Sequence, residues 1–191
     1  MKIIEPSATL IDEINPTEIL RKLEVCGRVS HQSEPREDSP EEFVRKLIKD
    51  GHESVLEHVS LTFHIICDRA IQNQLVRHRH ASFTVESTRY VKYEELKIIN
   101  PPIDPTAILD AELAYRKLIK LGTPPEEARQ VLPQCVKSEL YMTANLREWR
   151  HILKLRTAKF AHPQMRKLAF QIYEVFKEKL PVIVEDINID D

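Results

Sequence analysis

Glycine is nearly missing from this chain of 191 residues, occurring only at Gly27, Gly51 and Gly122. Neither a Gly-x-Gly-x-x-Gly stretch nor a Gly-x-x-x-x-Gly-Lys-Ser/Thr loop is present. That excludes the two glycine-loop ways of cradling phosphate with backbone amides. A nucleotide bound here has to be held chiefly by side chains. Cysteine is equally scarce: Cys26, Cys67 and Cys135 are odd in number and widely spaced. They suit neither a disulfide framework nor a zinc knuckle and read as reduced, packed thiols. No apolar run reaches the roughly 20 residues needed to cross a bilayer, and no charged start precedes an apolar stretch. The expectation is a soluble, cytoplasmic protein without a membrane partner. Formal net charge is only -2, so bulk electrostatics do not recommend nucleic acid as a partner, and any basic site must be local.

What is there suits a packed core: 42% hydrophobic and 30% charged residues in a length typical of one domain. Residues 3–11 read as a strand interrupted by Pro6. Asn15-Pro16-Thr17-Glu18 reads as a capped helix start, with Gly27 near the helix end. Ser39 and Glu42 stand at capping-box spacing before a second helix that Gly51 closes. In residues 59–67, Leu61, Phe63 and Ile65 share one strand face. A short helix over 69–76 leads to an irregular stretch as far as Ser87, with residues 88–93 extended. Residues 100–102 form a loop. A helix opens at Asp104 or Pro105 and Gly122 ends it, a helical turn follows from Thr123, and residues 135–143 are strand-like. Asn145-Leu146-Arg147-Glu148 is a further capping box, opening a helix to Arg156 with Leu146, Trp149, Ile152 and Leu153 inward. A last helix runs over 163–179. This order predicts an α+β fold in a single domain, one antiparallel or mixed sheet covered by helices.

The densest chemistry lies between Gln74 and Tyr90. Arg77, Arg79 and Arg89 offer planar donor forks that match phosphate oxygens bidentately. Ser82, Thr84, Ser87 and Tyr90 add hydroxyls, and Gln74 adds an amide. In an extended backbone Arg77 and Arg79 would point the same way, as would Ser87 and Arg89. Taken by composition alone, such a segment is either a solvated basic loop or an anion site.

The order of residues is more specific. Arg77-His78-Arg79, seven residues and then Ser87 reproduces the R-H-R-x7-S signature of the flavin-dependent thymidylate synthases, and Thr88-Arg89-Tyr90 continues it as S-x-R-Y. Gly51-His52-Glu53-Ser54 with Glu57-His58, Ala128-Arg129 with Leu132-Pro133, and Asn145-Leu146-Arg147 with His151 and Arg156 resemble further segments of that family, in family order. The resemblance implies a homotetrameric enzyme with active sites between subunits. It would convert dUMP to dTMP with FAD as cofactor, and NADPH and 5,10-methylenetetrahydrofolate as co-substrates. Carried over residue by residue, the FAD contacts are Ser54, Arg77, His78, Arg79, Val85, Asn145, Leu146, Arg147 and His151. The dUMP contacts are Gln74, Leu75, Val76, Arg77, Val85, Glu86, Ser87, Thr88, Arg89, Arg129 and Arg156. Arg156 matches the catalytic arginine that addresses the pyrimidine edge and favours ionisation at N3. Helical spacing puts Arg147 and His151 on one face, away from the apolar stripe.

The chain departs from the family pattern in places. Val85 stands where Glu or Gln is usual, with Glu86 one place later. Phe160 stands where relatives often carry His, with His162 nearby, and Gln164 replaces a usual Glu. No protein nucleophile is expected. Cys135 evokes the flavin-free synthases only superficially, and Ser87 has no evident activating partner, so it reads as a substrate contact. Two rival readings remain at this level. A metal-dependent phosphohydrolase could draw on His52, His58, His64 and Asp68, although the two histidines of the 52–58 segment lie six apart and miss zincin spacing. A non-enzymatic nucleic-acid-binding protein is the other. No metal is expected in the favoured reading.

Overall fold

Pro6 lacks a backbone N–H and breaks the first extended stretch in two. Strand β1 (Lys2–Ile4) and strand β2 (Ser7–Leu10) consequently belong to different sheets. This computed structural model describes residues 1–33, 40–100 and 104–189. After β2 come helix α1 (Pro16–Arg28), helix α2 (Pro40–Lys49), strand β3 (Ser60–Asp68), helix α3 (Arg69–Leu75), strand β4 (Ala81–Val85) and strand β5 (Lys97–Ile99). Helix α4 (Thr106–Lys120), helix α5 (Pro125–Ala128), strand β6 (Lys137–Asn145), helix α6 (Leu146–Arg156) and helix α7 (Pro163–Lys179) complete the chain. The fold is mixed α and β, as expected, but with two sheets in place of one. The first is the parallel pair β1-β5, registering Ile3 with Ile98. The second has the order β2-β3-β6-β4. In it β3 and β6 run antiparallel: Thr62 faces Thr143 through a 2.9 Å hydroxyl contact, and the Leu146 amide donates to the Val59 carbonyl.

The chain divides into two compact units. One comprises Met1–Ser7, His64–Arg77 and Phe83–Tyr141; the other comprises Ala8–Phe63, His78–Ser82 and Met142–Asp191. The first unit centres on Leu96, Ile98, Ile108 and Val136, packed by Tyr93, Leu132 and Cys135. The second centres on Phe63, Trp149 and Phe176, with the Phe63 ring meeting the Trp149 ring edge-on at 4.9 Å. Each such buried side chain contributes about 1.5–3 kcal/mol. The Trp149 indole N–H donates to the Leu61 carbonyl, so its one polar atom is satisfied.

Local chemistry sets the helix starts. Asn15 and Asn145 each accept a proton from the amide three residues on, at Glu18 and Glu148. The expected Ser39 cap and most of the 100–102 loop lie outside the described residues. Gly27 sits inside α1 and is a packing residue: a Cβ there would stand 2.7 Å from the Phe43 ring. Gly51 and Gly122 do close helices, at φ +76° and +85°.

Two stretches differ from the sequence reading. Residues 81–85 form a strand instead of an irregular segment, because Phe83 and Val85 turn inward while Ser82 and Thr84 stay exposed. Residues 88–90, expected to be extended, form a turn. The Ser87 carbonyl accepts from the amides of Tyr90 and Val91, and its hydroxyl accepts from that of Arg89. Arg77 and Arg79 likewise sit in turns, so strand alternation does not align them. Among the described residues no helix is long and apolar enough to cross a membrane.

Candidate functional site

The predicted site residues fall into two groups, one in each unit. In the unit built around Trp149, α6 carries the first group. The Asn145 cap starts the helix where β6 ends, and the apolar stripe Leu146, Trp149, Ile152 and Leu153 is buried. The opposite face therefore carries Arg147 and His151 outward, as their i, i+4 spacing requires. They line a cavity of about 640 Å³ together with Glu53, Glu57, His80, Asn145, Glu148 and Lys154. The volume lies within the ~300–1,000 Å³ of ordinary small-molecule sites. Arg147 is held by Glu57 at 2.5 Å. Ser54 is exposed on the short 3-10 turn Glu53–His58, and Arg79 is exposed as well.

The Leu146 side chain is fully buried, as its place in the apolar stripe predicts, and its amide donates to the Val59 carbonyl.

Between the exposed Arg77 and Arg79, the His78 ring is buried at 5% exposure. Arg156 donates its Nε–H to Nε2 at 3.0 Å, and Nδ1 lies 3.3 Å from the Glu148 carboxylate. Burial, then the neighbouring Arg156 and His151, push the imidazole pKa down to about 4. The ring is neutral at physiological pH. Arg156 itself is lowered from the ordinary arginine value by partial burial; a guanidinium nonetheless stays charged.

The other unit carries the second group. Glu126, in α5, ties two arginines together: its carboxylate accepts from Arg89 at 3.2 Å and its backbone carbonyl from Arg129 at 3.1 Å. Arg129 also donates to the buried Thr88 hydroxyl. The turn from Ser87 to Arg89 therefore stands beside Arg129. Leu75 is in the core, while Gln74, Val76 and Val85 are half-buried and Arg77 is exposed.

Glu86, whose role the sequence leaves open, faces inward. It accepts from the Tyr93 hydroxyl at 2.8 Å and from Lys137 at 2.6 Å, and its amide donates to the Glu139 carbonyl. Lys137 also donates to Glu139, which in turn is paired with His64 at 2.8 Å. Burial pulls Lys137 down, but its hydrogen bonds to Glu139 and Glu86 outweigh that and raise it. Glu86 is thereby an anchor under the Ser87 turn. Lys137, Tyr93 and Glu126 went unnoticed in the sequence, where nothing in their spacing links them to Glu86 or Arg89.

Thiol nucleophiles are disfavoured here. Burial and the neighbouring Asp68 push Cys67 up to about 12, and burial raises Cys135. His58, offered above as a possible metal ligand, is exposed. Among the described residues no three of His, Cys, Asp and Glu converge as a metal-ligand set.

Without a glycine loop, the cationic groups that an anionic ligand could meet in this α+β protein are side chains, gathered in these two clusters. Comparison with known proteins makes the class specific. The family described as thymidylate synthase complementing protein matches residues 9–182, and the chain belongs to it. A flavin-dependent thymidylate synthase of Corynebacterium diphtheriae is 30% identical, over 87% of this chain and 78% of that one. A probable flavin-dependent thymidylate synthase of Mycobacterium phage L5 is 32% identical, over 85% and 76%. A flavin-dependent thymidylate synthase of Pyrococcus abyssi is 35% identical, over 78% and 68%.

Proposed function

We propose that this chain is a flavin-dependent thymidylate synthase, methylating dUMP to dTMP with 5,10-methylenetetrahydrofolate as carbon donor and NADPH as reductant. The observation that carries the reading is the cavity on α6. Its Arg147, His80, His151, Lys154 and Asn145 are nitrogen donors suited to a dinucleotide's phosphates and hydroxyls. The donor set fits FAD, with Ser54, Arg77, Arg79 and backbone at Val85 as further contacts. When bound, the flavin supplies hydride-transfer chemistry that no side chain offers.

The protein's own work is binding and charge placement. Ser87, Arg89 and Arg129 serve the dUMP phosphate and sugar, with Gln74 and Arg77 as further contacts. The Arg89–Glu126 pair is half exposed on both sides. Such surface pairs contribute only about 0–1 kcal/mol, so a phosphate displaces Glu126 at small cost. Arg156 holds the pyrimidine edge and stabilises charge building at N3, a fixed cation in a partly water-excluded place. The chain works as a single catalytic domain in a cytoplasmic homotetramer.

The direct test is dTMP formation from dUMP, methylenetetrahydrofolate and NADPH by FAD-loaded protein. Formation that requires all of these supports the reading, and none under any combination contradicts it. In the same preparation Arg79→Ala is expected to weaken FAD binding at least severalfold, since a charge-assisted phosphate contact contributes about 1.5–3 kcal/mol. Fluorescence titration measures it, and unchanged affinity removes Arg79 from the flavin set.

A further inference from the structure

His78 joins the first turn of α6 to its last. Glu148 and Arg156 are eight residues apart on that helix, a rise of about 12 Å, and both lie on the face that His78 covers. Of the two imidazole nitrogens, Nε2 is engaged by Arg156 and Nδ1 lies 3.3 Å from the Glu148 carboxylate. An arginine Nε–H can only donate, so the nitrogen it meets, Nε2, must carry a lone pair. A neutral ring then carries its single proton on Nδ1, the nitrogen that faces the Glu148 carboxylate. His151 closes the remaining side, its ring edge-on at 6.0 Å. The His78 side chain is thus buried, with Arg156 on one nitrogen and the Glu148 carboxylate near the other.

We infer that His78 is a positioning residue for Arg156, and that Glu148 selects the tautomer which lets it act. The carboxylate fixes the proton on Nδ1, Nε2 accepts from Arg156 Nε, and rotation of the guanidinium about its stem is arrested. Its remaining N–H groups then keep one direction. A second consequence follows from where Glu148 lies. It lines the α6 cavity, so the lining of that cavity and the aim of Arg156 are joined through one ring. The depressed imidazole pKa agrees with a neutral ring clamped beside a cation.

The inference rests on the reading that Arg156 addresses the pyrimidine, but its first test does not. Nitrogen-15 NMR of histidine-labelled protein, without any ligand, is expected to show His78 as the Nδ1–H tautomer and neutral well below pH 6. An Nε2–H tautomer, or an imidazolium at pH 6, overturns the assignment whatever the protein catalyses. Glu148→Leu removes the acceptor and is expected to mix the tautomers. It should also raise KM for dUMP about tenfold or more, the scale of a lost hydrogen bond to a charged group. Glu148→Gln keeps an oxygen acceptor and is expected to restore the Nδ1–H tautomer and most of the dUMP affinity. Leu with wild-type KM, or Gln as defective as Leu in both readouts, contradicts the proposal. If the tautomer is as stated and no variant or wild type binds dUMP, the functional reading fails and the clamp stands.

Discussion

Arg156→Ala is expected to retain FAD and to lose dTMP formation by about two orders of magnitude. The size follows from removing a preorganised charge from a developing anion, about 3 kcal/mol in comparable sites, where each 1.36 kcal/mol is tenfold. Arg156 is suited to that part because it is partly buried and its Nε is engaged by a neutral acceptor, not a carboxylate. Its charge is therefore not cancelled by that contact. The loss should fall on the chemical step more than on cofactor retention. Arg156→Lys keeps the charge and forfeits the planar fork, so it should recover only part of the rate. Turnover assays beside the flavin content of each variant measure both. Alanine turnover at the wild-type rate removes Arg156 from the mechanism.

Arg150→Ala is expected to cause the largest loss of stability. The side chain is 1% exposed, between Glu53 and Asp186. Its fork meets both Asp186 oxygens at 2.7 and 2.8 Å, Glu53 at 3.0 Å and the Ile183 carbonyl. Breaking a buried pair by removing one partner costs about 3–5 kcal/mol. Water reaches Glu53 and Asp186 in part, which brings the expectation to about 2–4 kcal/mol by the same reasoning. Urea unfolding checks it; a loss below that of an exposed pair contradicts it.

The acid limb adds a sign. The hydrogen bonds from Arg150 hold Asp186 below its ordinary value, against burial. A carboxylate depressed in the folded state contributes stability above its unfolded pKa, near 3.9, and loses it as pH falls through the lower folded value. The wild type should therefore lose more stability than Arg150→Ala between pH 5 and pH 2.

Much of this was legible in the sequence where the governing interaction is local. The Asn145 cap, the Trp149 stripe and the outward pair Arg147 and His151 follow from spacing within one helix. So does the closing of α2 at Gly51. What stayed hidden depends on chain segments far apart. Arg150 looks like any charged helix residue until Glu53 and Asp186 arrive from elsewhere in the sequence. His78 reads as one more member of a basic segment, and its burial against α6 between Arg156 and Glu148 depends on residues far along the chain. The role of Glu86 cannot be read from its segment, because Lys137 on β6 and Tyr93 are what turn it inward. The strand at 81–85 was missed because its alternation pairs half-buried with exposed residues, a weak contrast beside so many charges. The family signature survived these misreadings because it lies in the order of residues, not in the local conformation that order was expected to take.

The central claim is that this protein binds both a flavin and dUMP for one reaction. Its most direct test is the visible absorption spectrum of purified protein loaded with FAD, cleared of excess, then supplied with dUMP. The account predicts a retained oxidised-flavin spectrum that shifts when dUMP is added. A folded sample that retains no flavin at low salt, or a flavin spectrum indifferent to saturating dUMP, would contradict it.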